Sequence, residues 1–429
     1  MMGLAMFVTL FALLLLGVPI AVCIGFSAIM GILTGPLPIS PIVVGQRMFT
    51  AIDSFPFMAI PFFMLAGGLM EHGGISRRLV RFASVFVGWM RGGLGLITVV
   101  ASAFFGAISG SNPATVAAIG GLMVPSMIKN GYKPAFAAAN AAAAGTLGVV
   151  IPPSIPMITF GVVAGVSIGD LFIAGIIPGI VLAIMLCACT AFLSKKLGVP
   201  TTGEFKASEV APAFMDAVWA LFMPIIILGG IYSGVFTPTE AGAVASFYSL
   251  LVSIFVYREM NLEKLKKVII NAAVSTAIVF FVIAASQSFA WLLNVGKITA
   301  AVVNGMLSIT ASRYGLLLFI NIILLVLGVF LETQAIILLV TPILLPIAMQ
   351  VGLDPMVLGI IIIVNTSLGM ITPPMAVNLF VAQGLVREYG VTLEQISRYI
   401  IPFFCVELGF VLLISYVPGI ATGLVEFLR

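Results

Sequence analysis

The sequence predicts an all-α polytopic membrane protein, built as an inverted repeat with two re-entrant helical hairpins and two broken helices. The chain is 62% hydrophobic and 8% charged, with mean hydropathy +1.27. Soluble domains are about 45–50% apolar and about 25% charged. Pro125, Pro134, Pro152 and Pro153 recur 221 residues later as Pro346, Pro355, Pro373 and Pro374, and Leu147-Gly148 recurs as Leu368-Gly369. So many coincidences in one short window mark an internal duplication. Proline breaks helices, and paired breaks in two halves of an apolar chain point to the binding site of a transporter. The distribution of Lys and Arg supplies the third observation, taken up below.

Spans of about 20 apolar residues cross a bilayer. The apolar start, Met1 to Leu33, has no basic leader and no small-residue cleavage site. It reads as a retained crossing near 4–34 and not a signal peptide, and with the surface segment after it forms a scaffold piece, 1–53. Repeat 1 (54–196) holds a crossing at 54–72, a surface helix from Gly74 to Met90, a hairpin at 92–130, a broken crossing at 134–166 and a crossing at 168–194. Crossings at 214–233 and 238–257 belong to a second scaffold piece, 197–263. Repeat 2 (264–429) restates the order: a crossing at 267–294, a surface stretch from Lys297 to Ser312, a hairpin at 315–350, a broken crossing at 356–386 and a crossing at 393–417. The hairpins are read as re-entrant because Gly106, Gly110 and Ser111-Asn112-Pro113 interrupt the first, and Leu331-Glu332-Thr333-Gln334 the second. Non-helical backbone at membrane depth is tolerated only inside protein or along a cavity.

Charge fixes the expected topology. With Lys195, Lys196 and the Arg258–Lys267 loop in the cytoplasm, all of the 19 Lys and Arg fall inside except Arg47, Lys297, Arg313 and Arg429. That agrees with the positive-inside rule. Nine crossings follow, with the N-terminus inside, the C-terminus outside and the two halves oppositely oriented. The run Arg77, Arg78, Arg81 reads as a surface anchor facing lipid. The net charge of +4 reflects this loop asymmetry and implies no nucleic acid.

Catalytic and metal chemistry find little material. Cys23, Cys187, Cys189 and Cys405 lie in apolar runs, and His72 is the single histidine. A membrane enzyme or redox pump needs His, Lys or carboxylate chains across mid-membrane; two buried acids and no mid-span lysine argue against both. The chain is expected not to be an enzyme.

The hairpin tips carry the polar chemistry. Ser111 or Asn112 suits an N-cap and Pro113 the first helical position, so the second arm starts in mid-membrane with free N–H groups and a positive dipole end. Ser, Asn and Thr oxygens with freed carbonyls can instead hold a small hard cation such as Na+. One cation cluster is expected from Ser109, Ser111 and Asn112 with the backbone of Gly145, Thr146 and Pro152. A second is expected from Glu332, Thr333, Asn365, Thr366 and Thr372, since irregular backbone exposes carbonyl ligands and hard cations prefer oxygen. Glu332 can ligate a cation, carry a proton, or only hydrogen-bond the tip; intramembrane carboxylates are usually functional. Glu407 reads as structural or as an inter-subunit contact, and Glu240 as the first turn of a span. An anionic substrate is expected between the tips, held by half-helix N-termini at Asn112-Pro113 and Pro153-Ser154, with Pro374 and Asn378 from the second break.

Gly92-Gly93-Leu94-Gly95-Leu96, Ser109 to Thr115, Ile151-Pro152-Pro153-Ser154-Ile155, Phe236-Thr237-Pro238-Thr239-Glu240-Ala241 and Ile371-Thr372-Pro373-Pro374 together resemble the large membrane subunit of tripartite ATP-independent periplasmic (TRAP) transporters. The likeness runs over essentially the whole chain. It implies an elevator-type ion-transporter fold in the bacterial inner membrane and Na+-coupled import of an organic acid such as a C4-dicarboxylate, sialic acid or another sugar acid. It also implies a separate small four-span membrane subunit and a periplasmic substrate-binding protein. Family members often carry Ser-Ser or Ser-Ala where this chain has Ser111-Asn112. The alternative is a stand-alone Na+/dicarboxylate-type carrier that needs no binding protein.

Overall fold

The computed structural model describes residues 2–36, 38–199, 201, 205–309, 312–373 and 376–428. Among them every regular element is a helix. Eight helices are long and apolar enough to cross a membrane, or nine if the bent pair Pro134–Val150 and Ile155–Ala164, angled at 41°, counts as one span.

The first expected crossing is corrected by the structure. Residues 4–34 are two helices, Met2–Leu15 and Ile20–Thr34, folded back on each other so that Met6 packs on Gly31 and Met2 on Gly35. Gly17 adopts a left-handed φ of +75° and Pro19 starts the second helix; together they make the turn. Each helix rises only about 21–23 Å at 1.5 Å per residue, short of the roughly 30 Å hydrocarbon core. The first residues therefore lie on the same side as Thr34, and not across the membrane from it. Two short helices were also not foreseen, Ile42–Ile52 and Gly419–Leu428.

The two halves then show the same order of elements. Repeat 1 runs Ala59–His72, surface helix Ile75–Val87, hairpin arms Gly93–Ser109 and 112–129, broken helix 134–164 and long helix Ile168–Lys196. Repeat 2 runs Leu262–Val295, Ile298–Ile309, Arg313–Phe330 with Thr333–Gln350, Pro355–Gly369 with Val377–Leu385, and Leu393–Tyr416. Val210–Tyr232 and Pro238–Leu251 connect them. Arg313–Phe330 and Thr333–Gln350, expected as arms of one hairpin, are each 18 residues and long enough to cross singly.

Glycine permits the close packing on which the site rests. A Cβ on Gly148 would lie 2.5 Å from the Ser111 carbonyl oxygen, and one on Gly369 within 2.5 Å of Gly328. These two glycines are the repeat-equivalent pair noted above, and each presses its broken helix against its own hairpin. Deeper in repeat 1, Asn140 Nδ2 donates to Gly95 O at 3.1 Å and Thr190 Oγ1 donates to Asn140 Oδ1 at 2.8 Å. That buried knot ties hairpin, broken helix and long helix together.

The arginine run does not face lipid as a unit. Arg78 reaches Glu259 at 2.8 Å and Asp216 at 3.3 Å, its side chain is 17% exposed, and its guanidinium lies 3.7 Å from the Tyr257 ring centroid. Arg81 reaches Asp216 at 3.1 Å. These pairs pin the helix Ile75–Val87 to Asp216 of Val210–Tyr232 and to Glu259, in the segment before Leu262–Val295.

Candidate substrate and ion site

Both hairpin tips open onto one cavity of about 230 Å³. Ser109, Ser111 and Asn112 line it from the first tip, Glu332, Thr333 and Gln334 from the second, and Val149, Ile155, Pro156 and Met370 from the broken helices. No Lys or Arg is among its lining residues.

The first tip is locked by its own polar groups. Gly110 ends the first arm in left-handed backbone (φ +59°) and Ser111 is extended at φ −141°, which reverses the chain. Thr115 Oγ1 donates to the Ser111 carbonyl at 2.7 Å, and Ser109 Oγ lies 3.1 Å from Thr115 Oγ1. A Cβ on Gly110 would stand 3.1 Å from Ile155 N and 3.2 Å from Pro153 O, so the tip rests directly on the break of repeat 1.

Asn112 is fully buried and uses both ends of its amide. Its Oδ1 accepts from Val149 N–H at 2.9 Å and its Nδ2 donates to Ser367 Oγ at 2.7 Å. Ser367 Oγ in turn donates to the Thr146 carbonyl at 2.9 Å, and Thr146 Oγ1 lies 2.7 Å from the Ala143 carbonyl and 2.9 Å from Glu407 Oε1. Glu407 is 1% exposed: it faces inward onto Thr146, not outward to a partner. The structural role expected of Glu407 is thus met inside the chain, but its partner Thr146 and the link through Ser367 carry no sequence signal, because only packing joins them.

The second tip is more loosely made. Leu331 and Glu332 are extended and no side chain caps Thr333–Gln350. Thr333 Oγ1 has a sulfur partner, Met370 Sδ at 3.5 Å. Gln334 Oε1 is buried without a partner, as is Ser154 Oγ at the start of Ile155–Ala164.

The remaining expected residues lie off the cavity wall. Gly145 and Thr146 sit behind the first tip, with Gly145 against Val116 and the Asn112 carbonyl. Pro152 and Pro153 are joined by a cis peptide bond beneath that tip. Asn365 Nδ2 donates to Asn321 Oδ1 at 3.0 Å while its own Oδ1 is unpartnered. Thr366 Oγ1 donates to the Ile362 carbonyl of its own helix at 2.8 Å, and Thr372 Oγ1, just past that helix, donates to the Leu368 carbonyl at 2.8 Å. Asn378 Nδ2 donates to Ala142 O at 3.2 Å, tying the second broken helix to the first. Pro374 lies outside the described residues. The cavity also has a wall that sequence reasoning did not assign: Glu71, His72, Asn271 and Ser275, from Ala59–His72 and Leu262–Val295. Their only sequence signal is polarity near the end of an apolar span.

Comparison with known proteins places this arrangement. Residues 7–420 match the family model described as "Tripartite ATP-independent periplasmic transporter, DctM component". The isethionate TRAP transporter permease protein DctMQ of Oleidesulfovibrio alaskensis is 44% identical over 95% of this chain, which spans 64% of that protein's length. The C4-dicarboxylate TRAP transporter large permease protein DctM of Rhodobacter capsulatus is 37% identical over 100% of both chains. The solved YdaH transporter of Alcanivorax borkumensis, described as having an unusual topology, superposes with a TM-score of 0.63 at 15% identity, covering 96% of this chain and 97% of its own. At that identity the likeness is one of fold.

Proposed function

The chain belongs to the DctM component family of tripartite ATP-independent periplasmic transporters, a multi-pass permease of the bacterial inner membrane and not an enzyme, and from that premise we propose Na+-coupled import of a small organic anion by an elevator motion. The observation that carries the reading is the convergence of both tips on one cavity walled by oxygen ligands and free of Lys and Arg. Neither Lys nor Arg lines it to hold an anion, so the anion's charge is balanced by bound cations and by half-helix N-termini at Asn112 and Ile155. One dipole interaction is worth roughly 0.3–2 kcal/mol, too little for tight binding without cations.

Two cation positions fit the donor chemistry. Ser109, Ser111 and the backbone around Gly145 to Pro152 supply the first. Glu332, Thr333 and the unpartnered Gln334 Oε1 supply the second, with Asn365, Thr366 and Thr372 behind it. Hard cations select such oxygen sets. The hairpins act as re-entrant gates of a transport unit that slides against the helices Ala59–His72 and Leu262–Val295. The cavity opens past Glu71 and His72 toward Arg77 and Lys264, the basic and hence cytoplasmic face. A small four-span membrane subunit and a periplasmic substrate-binding protein complete the system. A stand-alone carrier is the weaker reading, because the match to the DctM component runs from residue 7 to 420.

The test is uptake by the reconstituted complex with Na+ replaced by choline. Import should collapse, and Ser111→Ala should weaken its Na+ dependence. Thr366→Ala should weaken it less, because that hydroxyl is engaged by its own helix. Full uptake in choline would overturn the coupling.

A further inference from the structure

We propose that a second cleft, on the face of the protein opposite the opening of the tip cavity, is a loading site that takes the anionic group of the incoming substrate before the tips receive it. The inference rests on the elevator reading proposed above and goes on to name where the cargo first binds.

The internal duplication picks out the cleft. Arg47, Thr50 and Ala51 stand 221 residues before Val268, Asn271 and Ala272, and those three line the tip cavity. The earlier three line a cleft of about 540 Å³ together with Gln287, Trp291 and Asn294. Its other wall includes Pro342 of the second hairpin, which takes the repeat position of Gly121, a residue of the cytoplasmic opening. The cleft is thus the symmetry counterpart of the gap through which the tip cavity opens. Leu262–Val295 runs 34 residues, more than enough to cross the roughly 30 Å hydrocarbon core. Lys264 in its first turn lies on the cytoplasmic face, so Trp291 and Asn294 near its end lie on the periplasmic face. An elevator that carries the tips outward presents them to this cleft.

Position is symmetric but charge is not, since Arg47 stands where the other half has Val268. The Arg47 guanidinium lies 4.8 Å from the Trp291 ring centroid and forms no ion pair among the described residues. A cation–π contact needs no carboxylate and leaves N–H donors of the guanidinium fork for a ligand. Thr299 Oγ1 donates to Asn294 Oδ1 at 3.1 Å, so the Asn294 amide keeps its N–H donors as well. An adjoining cleft of about 320 Å³ shares Asn294 and adds Lys297. No Asp or Glu lines either cleft. Asp53, the acid nearest to Arg47 in sequence, ends the same short helix outside both walls. Two cations and free N–H donors without an acid attract an anion and raise its local concentration.

The test uses the permease with its small subunit in lipid nanodiscs, labelled with 5-fluorotryptophan, and succinate as the probe. The Trp291 fluorine resonance is the one lost in Trp291→Phe. In choline without Na+ it should shift saturably with succinate and not with neutral succinamide. Raising the ionic strength from about 0.01 to about 1 M shortens the screening length from about 30 to about 3 Å and should weaken this binding about tenfold. Arg47→Gln should abolish the shift, and Lys297→Gln should weaken it less. In proteoliposomes fed by the binding protein, Arg47→Gln should slow uptake about tenfold, the low end of electrostatic steering. Arg47→Lys should recover most of that rate, and the affinity of the binding protein for the permease should stay unchanged. A Trp291 resonance that ignores succinate, or follows succinamide equally, would overturn the loading site while leaving Na+-coupled import at the tips intact. A loss of docking affinity that matches the loss of uptake would also overturn it, by making Arg47 a contact for the binding protein. Full uptake in choline with the Trp291 shift intact would remove the Na+ coupling and leave this site standing.

Discussion

Asn112→Leu isolates what the first tip contributes. Leucine is close in size, so the perturbation is chemical: it removes the bond from Val149 N–H and the bond to Ser367 Oγ. Val149 is 4% exposed and stands in the first turn of its short helix, where its N–H has no helical partner. An orphaned buried donor costs about 1–3 kcal/mol, and the lost bond to Ser367 about 0.5–1.5 kcal/mol. Together these make about 2–4 kcal/mol, or roughly 30- to 700-fold at 1.4 kcal/mol per tenfold. If the closed tip is the state that holds the cation, the Na+ concentration for half-maximal uptake rises by a comparable factor. Ser367→Ala keeps the bond from Val149 N–H but removes both the bond from Asn112 Nδ2 and the bond to the Thr146 carbonyl, so it should cause a rise as well. The assay is proteoliposome uptake against Na+ concentration, paired with the thermal midpoint of the purified protein. An Asn112→Leu protein with both quantities unchanged would refute the claim that this amide holds the tip on the two breaks.

Two further outcomes test the packing. Gly148→Ala places a methyl 2.5 Å from the Ser111 carbonyl; overpacking of this kind costs about 1–3 kcal/mol, so uptake should fall sharply at normal expression, while Gly384→Ala, with open space around it, should be silent. Arg78→Met should lower the thermal stability by about 2 kcal/mol through lost charged hydrogen bonds and ring stacking, whereas Arg81→Met, at a side chain 57% exposed, should cost well under 1 kcal/mol. Equal midpoint shifts in the two arginine variants would show that the surface helix is not pinned through Arg78.

The legible parts of this fold were those where polarity or proline interrupts an apolar run. Ser111-Asn112-Pro113, Glu332-Thr333 and the paired prolines each break a helix for a local reason, so their positions can be read without knowing what they touch. The turn at Gly17-Val18-Pro19 was overlooked because it lies inside a run that is apolar on both sides: hydropathy sees one span where backbone conformation makes two helices. Asn365 is expected in the second cation cluster from its place in the broken span; that its amide nitrogen bonds Asn321, a residue on the facing arm, is decided by helix rotation, which the sequence does not show. The wall of Glu71, His72, Asn271 and Ser275 was illegible for a different reason. Its two helices are about 200 residues apart in the chain, and only tertiary packing makes their polar ends into one surface.

The duplication survives as contacts, but unequally, and the inequality bears on gating. In each half the tip residue meets the break residue 37 positions later: Asn112 with Val149, and Thr333 with Met370. The equivalent residues Thr146 and Ser367 touch each other directly at 2.9 Å, so the two breaks meet where the halves join. Symmetry of position has not kept symmetry of strength. The first tip uses an amide with two short hydrogen bonds, and Gly110 seats it on the break. The second uses a hydroxyl on a sulfur at 3.5 Å, a weak acceptor, and leaves Glu332 open to the cavity. Opening the first tip exposes strong buried bonds that water must replace, whereas opening the second loses little beyond a weak contact and any cation on Glu332. The second tip is therefore the more weakly held of the two.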